Sequence, residues 1–327
     1  MTWLDRAAGW AGHGLLGLLA RGRPQGLSIL IYHRVLPQRD PIFPGEVTHE
    51  DFRRQLRAVK RSCRVLPLLD AVRLARAGRL PPRAACITFD DGYADNAEIA
   101  LPILQEEGLH ATFFIATGYL NGGRMWNDTV IEAVRRAPPG MLELGALGLG
   151  SYLLEGPDSR RQAIQALIGQ LKYLPMAERQ AQVERLAQAV GQPLPDDLMM
   201  STAQLLRLRD AGMGLGAHTV GHPILARLPL EQARAEMARG KAELEQLLGQ
   251  PVPLFAYPNG KPGEDYGPEH VALARELGFE AAVSTAWGRA APSVDYFQMP
   301  RFTPWDRGQG RFVLRLARNL LSTARYA

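Results

Sequence analysis

Hydrophobic positions in this chain follow two rhythms. Short runs rich in Ile, Val and Phe alternate with longer segments whose apolar residues recur at helical spacing, the pattern of repeated strand-helix units. LSILIYH (27–33) reads as a strand, and THEDFRRQLRAVKRS as a helix with Thr48 as N-cap and Asp51 three residues on in a capping-box arrangement. CRVLPL is a candidate next strand, and AVRLARAG a helix ended by Gly78. AACITFD (84–90) is a strongly buried strand, NAEIALPILQEEG a helix with Pro102 in its body and Gly108 at its end, and ATFFIATG (111–118) another strand.

The rhythm then breaks. Residues 127–200 hold helical stretches such as RRQAIQALIGQLKYL and AERQAQVERLAQAVG between Pro/Gly-rich pieces, with no clear strand, and read as a helical insertion or lid. Alternation resumes with TAQLLRLRDAG, MGLGAH, LEQARAEMARGKAELEQLLG, PLFAYP, EHVALARELG and FEAAVST. At least six strand-helix alternations predict an α/β fold, a closed or nearly closed parallel barrel. No internal repeat is visible.

Composition agrees with a globular chain: 327 residues, 46% hydrophobic, with 33 Gly and 24 Pro, enough for one large core or two modest ones. No apolar run approaches the roughly 20 residues of a membrane span. The N-terminal stretch GWAGHGLLGLLARG is short, is interrupted by Gly and His, and lacks a small-residue cleavage site after its apolar part. It reads as a retained segment, so the expected location is cytoplasmic or membrane-peripheral, with secretion left open. The charge of +5 does not indicate nucleic acid, because the cations are scattered arginines beside only Lys60, Lys172, Lys241 and Lys261, with no RNP-like, zinc-finger or helix-turn-helix pattern. Cys63 and Cys86 sit in apolar contexts and read as buried thiols.

Both ends are amphipathic. In GRFVLRLARNLL, Val313, Leu316 and Leu320 share one helical face while Arg311, Arg315 and Arg318 share another; the N-terminal segment carries Trp3, Trp10, Leu15, Leu18 and Leu19. Packing against the barrel is the expectation, and resting on an anionic bilayer the alternative. The resulting division is an N-terminal segment at 1–26, a barrel at 27–303 with its insertion at about 127–200, and a C-terminal helix at 304–327.

Catalytic side chains of a parallel α/β barrel lie where strands end. Here four strand ends carry polar groups: Tyr32-His33, Asp90-Asp91-Gly92, AHTVGH (217–222) and YPNG (257–260). His218 and His222 have a spacing that recurs in zinc sites, and a carboxylate would complete a two-histidine, one-aspartate set with positions left open for water. Asp90 and Asp91 are two candidates: one can bind the metal while the other, kept ionised by the cation, serves as general base. A cation also relieves the repulsion between adjacent carboxylates. Gly92 permits the tight exit that lets both point into one mouth. Alone, a DD pair before Gly is commonly a turn, and an HxxxH pair commonly structural; their joint placement at strand ends points to chemistry.

At these residues the chain resembles the polysaccharide deacetylases of the NodB-homology type, carbohydrate esterase family 4. The first family motif, TFDDG, stands at Thr88 to Gly92, and the second, H-[ST]-x-x-H, at His218 to His222. The resemblance extends to YHRV (32–35), GLHATFFIATGYL (108–120), AGMGLGAHT and LGFEAAVST, and covers about 27–120 and 200–303. It implies a distorted (β/α)7-type parallel barrel, the helical insertion falling between the second and third motif-bearing strands. It implies Asp90 as catalytic base and Asp91, His218 and His222 as ligands of a divalent metal, zinc foremost, with cobalt, nickel or manganese as alternatives. The third motif, R-x-P-[YF]-G, aligns with Ala256 to Gly260, which gives the Asn259 N–H the oxyanion-stabilising role and puts Ala256 where the family has an arginine that orients the base. Arg301, in MPRF, is the substitute candidate from another strand end. The late histidine that protonates the leaving amine is also missing, since His270 reads as a helix start away from the rim. His33 is the substitute candidate, with orientation of a ligand or of the base as its alternative role, and Asp128 is a weaker candidate acid. Tyr93, Trp126, Asp128, Tyr257 and Pro258 are the substrate-side candidates, Trp126 by stacking on a sugar face. The implied activity is removal of acetyl groups from N-acetylated amino sugars in a glycan or glycolipid. O-deacetylation, or a carbohydrate-binding protein without turnover, are the alternatives.

Overall fold

In the computed structural model, residues 26–304 and 308–322 are described; the N-terminal segment with Trp3, Trp10, Leu15, Leu18 and Leu19 lies outside them. The chain divides into two compact units, one made of Met1–Gln38, Val47–Leu120 and Met200–Ala327, the other of Arg39–Glu46 and Asn121–Met199.

The first unit opens with β1 (Ser28–Tyr32), α1 (His49–Ser62), a two-residue β2 (Arg64–Val65), α2 (Leu68–Arg76) and β3 (Ala84–Phe89). Thr48 caps α1, its hydroxyl accepting from the Asp51 N–H at 3.2 Å. Pro102 does not sit in a plain α-helix: a π-helical turn over Asn96–Ala100, where the Leu101 N–H reaches back to the Asn96 carbonyl, precedes α3 (Leu101–Glu107). Placing Pro102 in the first turn of α3 removes the demand for its missing N–H. β4 (Thr112–Ile115) follows.

The second unit contains α4 (Trp126–Arg136), an antiparallel hairpin of β5 (Gly140–Glu143) and β6 (Ser151–Leu154), then α5 (Pro157–Leu171) and α6 (Met176–Val190). The hairpin corrects the reading of this stretch as lacking strands. GMLELGALGLGSYLL is short of β-branched residues, and its glycines blur the period-two signal. Its own core gathers Val130, Val134, Leu154, Ile164, Leu167, Val183 and Leu186.

The chain then returns to the first unit with α7 (Thr202–Asp210), β7 (Gly214–Ala217), α8 (Leu230–Leu248), β8 (Leu254–Ala256), α9 (Pro268–Glu276), β9 (Ala281–Trp287), β10 (Met299–Arg301) and α10 (Gln309–Leu321). Seven parallel strands run in the order β1-β3-β4-β7-β8-β9-β10, with β2 paired to the start of β3. The ring closes through Phe302, which accepts from the Ile31 N–H at 3.1 Å and donates to Ile29 O at 2.8 Å. The fold is a nearly closed parallel barrel of the distorted (β/α)7 kind. Alternation along its strands separates two layers. Ile29, Cys86, Phe114, Ala256, Val283 and Met299 fall in one buried cluster; Leu30, Ile87, Phe113 and Phe255 fall in another with the helix residues Phe52, Leu205, Met237 and Val271. With both faces covered, strands can be apolar at every position, as the sequence shows. α10 packs Phe312, Val313, Leu316 and Ala317 into the helix-facing layer, leaving Arg311 and Arg318 exposed. Among the described residues no helix is long and apolar enough to cross a membrane. Cys86 is buried and Cys63 half-buried, both are unbridged, and burial pushes both thiols up, Cys63 to about 12.

Candidate active site

The end of β3 carries the two carboxylates. Asp90 continues the ladder, its N–H donating to Tyr32 O at 3.0 Å, and the chain then turns within three residues, the Gly92 N–H donating to Asp90 O at 3.0 Å. Asp91 at the apex is left-handed, φ 77°, followed by Gly92 at φ 91°. In a continuing strand neighbouring side chains would point to opposite faces. The turn breaks that rule and lets both carboxylates serve one mouth. Left-handed backbone at a non-glycine residue is unfavourable, and it recurs here at Thr219, His222 and Asn259, φ 64°, 50° and 57°.

Asp90 is gripped by Arg301 from the end of β10. Nη1 donates to Oδ1 at 2.7 Å and Nη2 to Oδ2 at 2.6 Å, a two-point pairing that fixes the plane of the carboxylate. Arg301 is itself held by Ser284 O at its Nε, 2.9 Å, and by Thr88 Oγ1, 3.3 Å. Both partners are buried. Burial opposes the charge on Asp90, but the Arg301 guanidinium outweighs it and holds the carboxyl below its ordinary range.

Asp91 faces the histidines. Its Oδ1 lies 3.4 Å from Nε2 of His218 and 3.4 Å from Nε2 of His222, and has no hydrogen-bond partner although it is buried. His218 Nδ1 is 2.7 Å from Ala256 O, an acceptor only, so Nδ1 carries a proton and Nε2 is the ring atom turned toward Asp91. Three ligand atoms within 4.8 Å of one another, one of them an orphaned carboxylate oxygen, fit a small divalent cation. A tetrahedral ion with bonds of about 2.1 Å requires ligands roughly 3.4 Å apart. Burial opposes charge on Asp91, yet contact with His218 and His222 holds its carboxyl well below the usual range. Burial lowers His222 to about 4, while for His218 the same burial is outweighed by Asp91, which raises it.

Two further groups stand at the rim. His33 is exposed just past β1, close enough that its charge contributes to lowering both carboxyls. Asn259, after β8, is exposed at the apex of a turn closed by the Gly260 N–H on Pro258 O at 2.6 Å, and its carbonyl accepts from Thr285 Oγ1 at 2.9 Å. Among the described residues nothing accepts from the Asn259 N–H.

A family pattern described as polysaccharide deacetylase matches residues 77–141 and 161–282, more than half of the chain. The chain belongs to that family. The matched ranges contain Asp90, Asp91, His218, His222 and Asn259, while His33 and Arg301 fall outside them. YxkH of Bacillus subtilis (strain 168), a candidate polysaccharide deacetylase, is 19% identical over 219 residues, which are 67% of this chain and 50% of that protein. The chain thus spans about half the length of that curated relative. Among solved structures, IcaB from Ammonifex degensii superposes with a TM-score of 0.58 at 21% identity, covering 89% of this chain and 98% of that one. The Streptococcus pyogenes deacetylase PplD, in complex with acetate, gives 0.57 at 20% identity, with coverages of 86% and 93%. These likenesses show the shared fold.

Against this family background two substrate-side expectations change. Tyr257 follows Ala256, which faces the barrel interior, so its ring turns outward into the helix layer; it stacks on Tyr266 at 3.8 Å and donates its hydroxyl to Phe297 O at 2.9 Å. Buried and partnered, it is a core residue and not a sugar contact. Tyr93 is likewise buried, with the Arg34 guanidinium 4.7 Å over its ring. Pro258 is buried in the Asn259 turn. Trp126 and Asp128 belong to the second unit, where Arg179 lies 4.8 Å over the Trp126 ring and Asp128 is buried. His270 is buried in the first turn of α9, its Nδ1 accepting from the Gly267 N–H. Sequence reading misses Ser284 as a support of Arg301, because a backbone carbonyl carries no motif, and it sees Thr88 only as the first residue of TFDDG, without its contact to Arg301.

Proposed function

We propose that this chain is a metal-dependent hydrolase that removes acetyl groups from N-acetylated amino sugars of a polysaccharide, oligosaccharide or glycolipid, releasing acetate. One observation carries the reading: adjacent carboxylates, Asp90 and Asp91, have divergent partners, a guanidinium for one and two imidazoles for the other. Such a division suits one carboxylate to proton transfer and the other to holding a cation. Asp91, His218 and His222 would hold the metal, zinc foremost. When bound it supplies Lewis acidity toward the acetyl carbonyl and lowers the pKa of a water.

The chain's own residues do the rest. Asp90, kept ionised and oriented by Arg301, takes the proton of the attacking water. The Asn259 N–H donates to the developing oxyanion, a role suited to a rigid turn apex with an unengaged donor. An amine does not leave as its anion, so an acid must deliver a proton to nitrogen, and His33 at the rim is assigned that role. The acetate held by the solved Streptococcus pyogenes deacetylase agrees with acetate as the product.

The engagement of His270 within α9 favours a second reading, O-deacetylation by the same site, because an alcohol leaves with less help from an acid. Acetate release from N-acetylated chitooligosaccharide and from acetylated xylan, with and without chelator, separates the two. The proposal requires chelator-sensitive release from the first substrate and its loss in Asp90→Asn; release from neither substrate by metal-loaded protein would leave a binding protein only.

A further inference from the structure

The turn that carries the histidines is held from outside. Between His218 and His222 lie Thr219, Val220 and Gly221, and Thr219 and His222 are both left-handed. Such a turn does not keep its shape unaided. Thr219 O accepts from the Thr117 N–H at 3.2 Å, Val220 O from the Gly118 N–H at 3.0 Å, and Gly221 O from the Tyr119 hydroxyl at 3.0 Å. The His222 N–H donates to Thr219 Oγ1 at 3.1 Å. The N–H groups of Val220 and Gly221 converge on a single atom, Glu236 Oε2, at 3.1 and 2.8 Å.

Glu236 lies on α8, one turn before Gly240. A Cβ at Gly240 would come within 2.7 Å of the Thr219 carbonyl carbon, so the helix backbone lies directly against the turn, and the residue four positions earlier is on the face that reaches it. In sequence Glu236 looks like one of several charged residues on the outer face of α8. In the fold its carboxylate serves two successive backbone donors between the candidate ligands, and charge assistance strengthens both bonds.

We infer that Glu236 is a positioning residue of the metal site: through Val220 and Gly221 it sets the His222 ring beside Asp91 and His218. His218 is tied independently to Ala256 O, so His222 is the ligand whose place depends on the turn. The inference rests on the metal-binding reading above, and its test is separable from that reading.

The test titrates chelator-stripped full chain with Co²⁺ and Zn²⁺, reading affinity by calorimetry and ligand geometry by the visible absorption of bound Co²⁺, with circular dichroism of the metal-free proteins as fold control. Wild type is expected to bind one ion. Glu236→Ala is expected to bind about 10–100-fold more weakly, the range for loss of a group that orients a ligand, with an altered Co²⁺ spectrum. Glu236→Gln retains an acceptor oxygen and should recover most of the affinity. Tyr119→Phe removes one hydroxyl from the same turn and should weaken binding several-fold; it keeps the inference testable if Glu236→Ala does not fold. Wild-type affinity and spectrum in folded Glu236→Ala, or in Tyr119→Phe when the alanine variant is unfolded, would overturn the inference alone. So would a Gln variant as weak as the Ala variant. Absence of binding by wild type would overturn the metal reading and this inference with it.

Discussion

Arg301 and Asp90, 211 positions apart in sequence, meet as a buried two-point ion pair with both hydrogen bonds at or below 2.7 Å. Arg301→Lys keeps a positive charge but cannot match the planar carboxylate at two points. Its kcat/KM for acetate release is expected to fall by about 100-fold or more, as when a catalytic group is misplaced by about an ångström. The acid limb of the pH profile should move upward, because the charge that holds Asp90 low is less well placed.

Stability follows the same pair. Asp90 has a depressed folded value, so its contribution is present above the unfolded value near 3.9 and is lost as pH falls through the folded one. Arg301→Met leaves a buried carboxylate unpaired, which costs about 3–5 kcal/mol. Without its partner the raised Asp90 reverses the sign, and the variant should lose stability as pH rises from about 4 to 7, the window above the ordinary carboxylate value. Denaturant melts at both ends of that window check it.

Metal uptake should release a proton. Asp91 raises His218, so protons compete with a cation at its Nε2, whereas His222, at about 4, is already neutral at pH 7. Affinity should therefore strengthen with pH through the region of His218 and be insensitive to His222 above about pH 5, one unit past its value. Calorimetry in buffers of different ionisation enthalpy counts the proton.

His33 is expected to matter according to the leaving group. His33→Gln should slow N-acetyl hydrolysis by about 100-fold or more and O-acetyl hydrolysis by much less, since general acid assistance at this scale is needed chiefly for the amine. Equal effects on the two substrates would assign His33 to orientation instead.

The oxyanion role given to Asn259 belongs to its backbone. Asn259→Gly should retain turnover within a few-fold, because glycine adopts φ 57° readily and keeps the N–H. A loss as large as that of Asp90→Asn would place the function in the side chain.

What the chain alone determines here is what depends on neighbours a few residues away. Buried strands such as AACITF, the cap at Thr48, and the pairs Asp90-Asp91 and His218-His222 are legible because period, capping and spacing are local. Arg301 could be named from its strand end, yet only closure of the barrel puts it on Asp90. The direction of Tyr257, the hairpin in the second unit and the hold of Glu236 on the histidine turn were decided by tertiary structure. Each depends on which surfaces meet, and a residue's sequence neighbours carry no record of a partner brought to it by packing.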